Sequence, residues 1–140
     1  MARKYDLGIT DRDRVFIGED VTVRCQLVIA DATTGEDSVE GDISSNAYRM
    51  VIKKSREEAT ALITLATGAG ITFGNGDTSK GELAGNNTVL LIALADTETE
   101  KILSEGLYVY DIWRTDAGFE GVAAFGNIFF MDSVSLPPEV

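Results

Sequence analysis

Histidine is absent from this sequence, and cysteine occurs once, as Cys25. These gaps exclude Ser-His-Asp and Cys-His catalytic machinery, His-ligated zinc or haem, an intramolecular disulfide, and a Cys-x-x-Cys metal site. Basic residues are also scarce: 12 Lys and Arg stand against 23 Asp and Glu, a formal net charge of −11. A chain of that sign is repelled by a phosphate backbone, so no nucleic-acid partner is expected. No apolar run reaches about 18 residues, which leaves no transmembrane helix and no membrane partner to expect. Met1-Ala2-Arg3-Lys4 leads into polar sequence rather than an apolar signal core, so no secretion signal is expected. Proline occurs only as Pro137 and Pro138.

With 140 residues the chain is long enough for one domain that buries its own core without a disulfide or metal. A single domain over residues 1–134 and an extended tail over 135–140 are expected. Glycine, by contrast with proline, is frequent, with 14 residues set between short apolar runs, the pattern of strands joined by turns. Residues 21–29 alternate cleanly: Val21, Val23, Cys25, Leu27 and Ile29 share one face, and Thr22, Arg24 and Gln26 share the other. Cys25 therefore reads as a small buried hydrophobe. Further strands are predicted over 47–54, 61–66 and 71–73, and the continuous apolar run 88–94 reads as a strand covered on both faces. The acidic stretch 31–42 reads as an exposed loop. One helix is predicted over 96–103, with Thr97 and Glu100 as a capping box, Ile102 and Leu103 as its apolar anchor, and Gly106 beyond its end. Two long strands, 107–115 and 121–131, close the pattern. The expected fold is all-β: an immunoglobulin-like β-sandwich of about seven to eight strands with one short helix.

Three groups of residues invite a chemical reading, and each has a simpler one. Asp6, Asp11, Asp13, Glu19 and Asp20 crowd the N-terminal segment, but they lack the spacing of a calcium loop and alternate with arginines, as a solvated edge does. Gly74-Asn75-Gly76-Asp77-Thr78-Ser79-Lys80-Gly81 superficially resembles a phosphate cradle, but Lys80 precedes Gly81 and no helix start follows, so a hairpin or exposed loop is expected. Asp111 lies mid-strand, where a carboxylate is unusual, and reads as a structural acid paired with Arg49 or Arg114. No catalytic residue, cofactor or metal is expected.

Aromatic residues concentrate in the last third of the chain. In both 107–115 and 121–131 bulky residues occupy both parities, and a single small sandwich has difficulty covering both faces of such a pair. A protein–protein interface through Tyr108, Tyr110, Trp113, Phe125, Phe129 and Phe130 is therefore expected, aromatic residues being favoured as anchors. A sugar-stacking platform is the competing reading of the same residues.

Tyr48-Arg49-Met50-x-Ile52-Lys53-Lys54, followed by Ala61-Leu62-Ile63-Thr64-Leu65, Gly70-Ile71-Thr72, a short acidic helix, Tyr108-x-Tyr110-Asp111-Ile112 and Gly126-Asn127-Ile128, resembles a family of small tailed-bacteriophage proteins. These are similar to the N-terminal β-sandwich domain of phage baseplate upper proteins. The resemblance spans about two-thirds of the chain, from Ile43 to Val134. The loops 31–42 and 74–87 are longer and more acidic than that pattern, and the last strand is more aromatic. The resemblance implies a non-enzymatic virion structural protein, present in several copies and assembled in the bacterial host cytoplasm, with other virion proteins as partners and a homo-oligomer as the expected state. A tail, baseplate or fibre-attachment position is the leading expectation. An exterior head decoration protein and a carbohydrate-binding module are the alternatives, and a hydrolase built on Asp111 and a loop carboxylate is a third.

Overall fold

The computed structural model describes residues 2–3, 14–30, 33–39 and 41–132. The strands are β1 (Ala2–Arg3), β2 (Arg14–Phe16), β3 (Val21–Gln26), β4 (Val28–Ala30), β5 (Asp37–Val39), β6 (Tyr48–Lys53), β7 (Ile63–Thr67), β8 (Gly70–Gly74), β9 (Val89–Leu94), β10 (Gly106–Arg114) and β11 (Gly121–Met131). A 3-10 turn (Thr78–Lys80) and a four-residue helix α1 (Asp96–Thr99) complete the regular structure among the described residues.

Eight strands form one hydrogen-bonded ribbon in the order β2-β11-β10-β6-β7-β8-β9-β3, and β1-β4-β5 form a small second sheet. The ribbon folds between β7 and β8, which share only two residue pairs across a tight turn. That turn needs glycine: Gly70 has φ +104°, and a Cβ on it would lie 2.7 Å from Leu65 Cδ2. The result is a five-stranded leaf, β2-β11-β10-β6-β7, packed on a three-stranded leaf, β8-β9-β3. With β2 parallel to β11 and the central pairs antiparallel, this is the order of an immunoglobulin-like β-sandwich.

Strand periodicity sets the core. On β6, Tyr48, Met50 and Ile52 turn inward; on β10, Tyr108, Tyr110 and Ile112 do. They meet Val23, Cys25, Ile71, Leu90, Ile92 and Leu94 from the other leaf in one continuous cluster. A fully buried side chain of this size contributes about 1.5–3 kcal/mol, so a dozen of them carry the fold. A bulge in the β10–β11 pairing, where Ile112 faces Ala124 but Trp113 faces Val122, leaves both Ala123 and Ala124 buried. It also keeps Trp113 outward at the hairpin end.

Tyr108 forms the fold's corner. Its hydroxyl donates to the Ser104 carbonyl oxygen at 2.6 Å, and its ring meets Phe130 edge-on at 5.5 Å between centroids. This is the tyrosine corner of immunoglobulin domains, where the partner of the inter-sheet disulfide stands two residues later. Here that later position is Tyr110, so the buried Cys25 on β3 has no thiol opposite it.

Several local expectations change. The strand over 21–29 breaks at Leu27, because β3 pairs with β9 whereas β4 pairs with β1 and β5. The run 88–94 is covered mainly on one face: Leu90, Ile92 and Leu94 are buried, Leu91 is half-buried and Ala93 is exposed. The helix stops after one turn and the capping box does not form: Ala95 is the N-cap, and Asp96 itself accepts the Thr97 N–H. Tertiary contact holds it instead. The buried Thr99 hydroxyl accepts the Gly18 N–H at 3.0 Å and lies 3.0 Å from the Glu19 carbonyl oxygen. Ile102 is buried as an anchor, but Leu103 is 92% exposed, because the chain turns away after Ile102 to enter β10.

The variant Tyr108→Phe keeps the ring and loses the corner bond. We expect it to be about 1 kcal/mol less stable, read as a lower urea midpoint with an unchanged slope.

Candidate functional site

The two leaves treat their outer faces differently, and the contrast locates the candidate site. Over the three-stranded leaf, the loop between β8 and β9 folds back onto β3. Arg24 forms a bidentate pair with Glu82, Nη2 to Oε1 at 2.9 Å and Nε to Oε2 at 3.0 Å. Glu82 is fully buried and also accepts the Asp77 N–H, while Arg24 donates to the Asn75 carbonyl oxygen. Gln26 binds both the N–H and the carbonyl of Leu83. Gly76 permits the close approach, since a Cβ there would lie 1.8 Å from the Leu83 carbonyl oxygen. Arg24 and Gln26 are thereby covered by the chain's own loop, while Thr22 of the same parity stays exposed. Burial, with the Glu82 charge adding to it, pushes the Cys25 thiol up to about 12, so Cys25 is an unreactive core residue.

The same loop rules out a phosphate cradle. Asp77 accepts the N–H and hydroxyl of Ser79, and Glu82 takes the Asp77 N–H, so these donors are used inside the loop. Of the N-terminal acids, Asp6, Asp11 and Asp13 lie outside the described residues; Glu19 accepts the Phe16 N–H at 2.9 Å. No cluster of three or more metal-type ligands occurs among the described residues.

No loop among the described residues covers the outer face of the five-stranded leaf in this way. Cross-strand rows on its outer face run Phe129–Leu107, Asn127–Val109–Lys53, Phe125–Asp111–Val51 and Val122–Trp113–Arg49. Leu107 is 59% exposed and Trp113 36%; Phe125 and Phe129 are half-buried. Of the six residues expected at an interface, Trp113, Phe125 and Phe129 therefore face outward. Tyr108, Tyr110 and Phe130 do not: their parity turns them into the core, and they are corrected here from interface to core residues. Tyr110 is further pinned over Gly126, where a Cβ would lie 3.1 Å from its hydroxyl. Sequence reasoning missed Leu107 and Val51, aliphatic residues of the same outward parity, because it followed aromatic rings rather than parity.

Charge on this face is unlike that of the chain. Arg49 and Lys53 project from β6, and Arg56, in the turn after it, reaches across β10 to lie 5.4 Å from the Phe125 ring centroid. Asp111 is the one carboxylate on the outward positions of β6, β10 and β11. It has no ion pair among the described residues, and its expected partner Arg114 is engaged by Asp116. Arg56 and Asp111 line two adjoining hollows, one of about 180 Å³ over Val51 and Val109 and one of about 480 Å³ beside Val122 and Phe125.

At the end of the β10–β11 hairpin, Arg114 holds Asp116 through Nε–Oδ1 at 2.8 Å and Nη2–Oδ2 at 2.9 Å, and donates to Asn46 Oδ1. Asp116 also accepts the Ala47 N–H, and Thr115 N–H binds the Ala47 carbonyl. Arg114 stacks 4.4 Å from the ring of Phe119, which is 62% exposed. The hairpin end is thus fastened to the loop before β6. The Arg114 hydrogen bonds, with the Ala47 N–H assisting against a desolvation cost, hold the Asp116 carboxyl down at about 2.

No protein-family model and no curated protein matches the chain. Among solved structures it is similar to one described as the three-dimensional structure of NK cell receptor Nkp44, a triggering partner in natural cytotoxicity. The identity is 16% and the TM-score 0.40, over 86% of this chain and 97% of that one. The strand order and the shared core define the fold independently of this likeness.

Two outcomes follow from the charge pairs. Glu82→Ala removes the bidentate partner of Arg24 from a part-buried site, and denaturant unfolding is expected to record a loss of about 3 kcal/mol. Asp116 is ionised in both folded and unfolded chains above a pH of about 4, where its stabilisation is fully present. As the pH falls toward 2 the unfolded chain takes up the proton first, and the stabilisation is lost. Thermal melts between these limits should fall less steeply for Asp116→Asn than for the native chain.

Proposed function

We propose that the chain is a non-enzymatic structural subunit of a tailed-bacteriophage particle and works through contacts of the outer face of its five-stranded leaf. The observation that carries this reading is the outward row of Leu107, Val109, Trp113 and Phe129 on β10 and β11, which no loop among the described residues covers, set against the loop that folds over Arg24 and Gln26 on the opposite leaf. Aromatic and aliphatic side chains interleaved with arginine are the usual make-up of contact surfaces between proteins. The rigid fastening of the hairpin end at Arg114 and Asp116 supports the same use, because a preordered surface loses less freedom on association.

The virion assignment draws on the strand motifs. Tyr48-Arg49-Met50, Gly70-Ile71-Thr72 and Tyr108-x-Tyr110-Asp111-Ile112 occupy β6, β8 and β10, consecutive parts of one sandwich. Tail, baseplate or fibre attachment is the favoured position, with an exterior head decoration using the same face as the alternative. Other virion proteins and further copies of the chain are the partners. A carbohydrate-binding module is the second reading, favoured by the exposed rings of Trp113 and Phe119.

Quantitative mass spectrometry of purified particles from the encoding phage is the test. The chain is expected at a defined copy number per particle, and its absence sinks the virion reading. A glycan array with a Trp113→Ala control addresses the second reading, where saturable binding lost in the variant would replace subunit contact as the function.

A further inference from the structure

Asp111 is a half-buried carboxylate in the middle of β10, and its side chain makes no hydrogen bond or ion pair among the described residues. Two cations stand beside it without closing on it. Lys53 makes no ion pair among the described residues either, and Arg56 lies over the ring of Phe125, 5.4 Å from its centroid. The strand register sets the spacing. Val51 stands opposite Asp111 and Lys53 opposite Val109, so Lys53 is the diagonal neighbour of Asp111, within reach of a long side chain. With Arg56 arriving from the turn after β6, these five residues line a hollow of about 180 Å³.

Elsewhere the chain closes its charges directly. Glu82 takes Arg24 at 2.9 Å, and Asp116 takes Arg114 at 2.8 Å. Around this hollow the carboxylate and the cations stay apart, with two valines between them as a floor. A partly shielded charge gains from a hydrogen-bonded partner of opposite sign, and three such charges converge here. The volume lies below the range of about 300–1,000 Å³ usual for drug-sized ligands, which suits a compact partner. One carboxylate and two cations are matched by one ammonium and two carboxylates, and the valines by methylene groups. An ammonium and a carboxylate on the same carbon belong to a free amino acid, since a peptide bond consumes at least one of them.

We propose that this hollow binds a free acidic amino acid of glutamate size, with its ammonium on Asp111, its two carboxylates on Arg56 and Lys53, and its methylenes on Val51 and Val109. Arg56 is the orienting group, because its guanidinium is already held over Phe125 and its planar fork matches a carboxylate. The site goes beyond the subunit-contact reading and does not rest on it, since an isolated chain carries all five residues.

Amide NMR titration of the full chain is the test, at low ionic strength, where charge pairs are least screened. L-glutamate is expected to shift the amides of residues 51–56 and 109–111 saturably. N-acetyl-L-glutamate lacks the ammonium and L-glutamine lacks one carboxylate, so each is expected to bind at least about tenfold more weakly. Asp111→Asn and Arg56→Gln should weaken glutamate binding to a similar degree, whereas Lys54→Gln, outside the hollow, should leave it unchanged. The unshifted remainder of each spectrum reports that the variant is folded. No saturable shift in the native chain, equal binding of either analogue, native-like binding by Asp111→Asn or Arg56→Gln, or an equal loss in Lys54→Gln overturns the proposal. These outcomes are independent of whether particles contain the chain, so the virion reading and this one can fail separately.

Discussion

The molecule depends on burying one parity of every long strand in a single core between two leaves. No disulfide spans that core, because the position two residues beyond the corner tyrosine holds Tyr110 and leaves Cys25 alone. Cohesion comes instead from close-packed side chains such as Met50, Ile52, Ile92, Ile112 and Phe130, all fully buried. The corner bond of Tyr108, the glycine turn at the crease and the bulge at Ala123 keep those side chains aimed inward where the strands change direction. Each is a small local device that serves the same burial.

Once one parity is committed to the core, the other must be satisfied in some different way, and the two leaves differ in how this is done. On β3 the outward residues are Arg24 and Gln26, long and polar, and the loop carrying Glu82 and Leu83 folds down to bond with them. The pair Arg24–Glu82 is favourable there because Glu82 receives a second donor, the Asp77 N–H, and Arg24 has the Asn75 carbonyl as an additional acceptor. On β10 and β11 the outward residues are mostly apolar or aromatic, Asp111 and Asn127 apart, and no loop among the described residues covers them. One outer face is thus partly covered by the chain's own loop, and the other presents its apolar side chains without a described loop over them.

Charge follows the same division. Most of the acids among the described residues lie on loops and turns, whereas the outer face of the five-stranded leaf presents Arg49, Lys53 and Arg56 around one carboxylate, Asp111. Uneven charge of this kind orients encounters and rejects partners of the wrong sign more than it adds affinity.

Alternation of apolar and polar residues was enough to expect strands over 47–54, 61–66 and 107–115, which lie at 48–53, 63–67 and 106–114, and to read the inward set Tyr48, Met50 and Ile52, the buried character of Cys25 and the β-sandwich class. Those are consequences of a period of two, which any strand expresses locally. Which parity of a strand apolar on both sides faces the core is not local. Tyr108, Tyr110 and Phe130 look as suited to an interface as Trp113 does, and only the pairing of β10 with β6 and β11 decides between them. The length of α1, the exposure of Leu103 and the meeting of Arg24 with Glu82, 58 residues away, were likewise settled by packing. A helix stops where its tertiary contacts stop, and an ion pair forms where the fold brings two distant segments together. The sequence by itself determined the alternation that makes a sandwich core; the tertiary structure alone decided which parity of each strand is buried and which outer residues the described loops cover, because both depend on contacts between residues far apart in the chain.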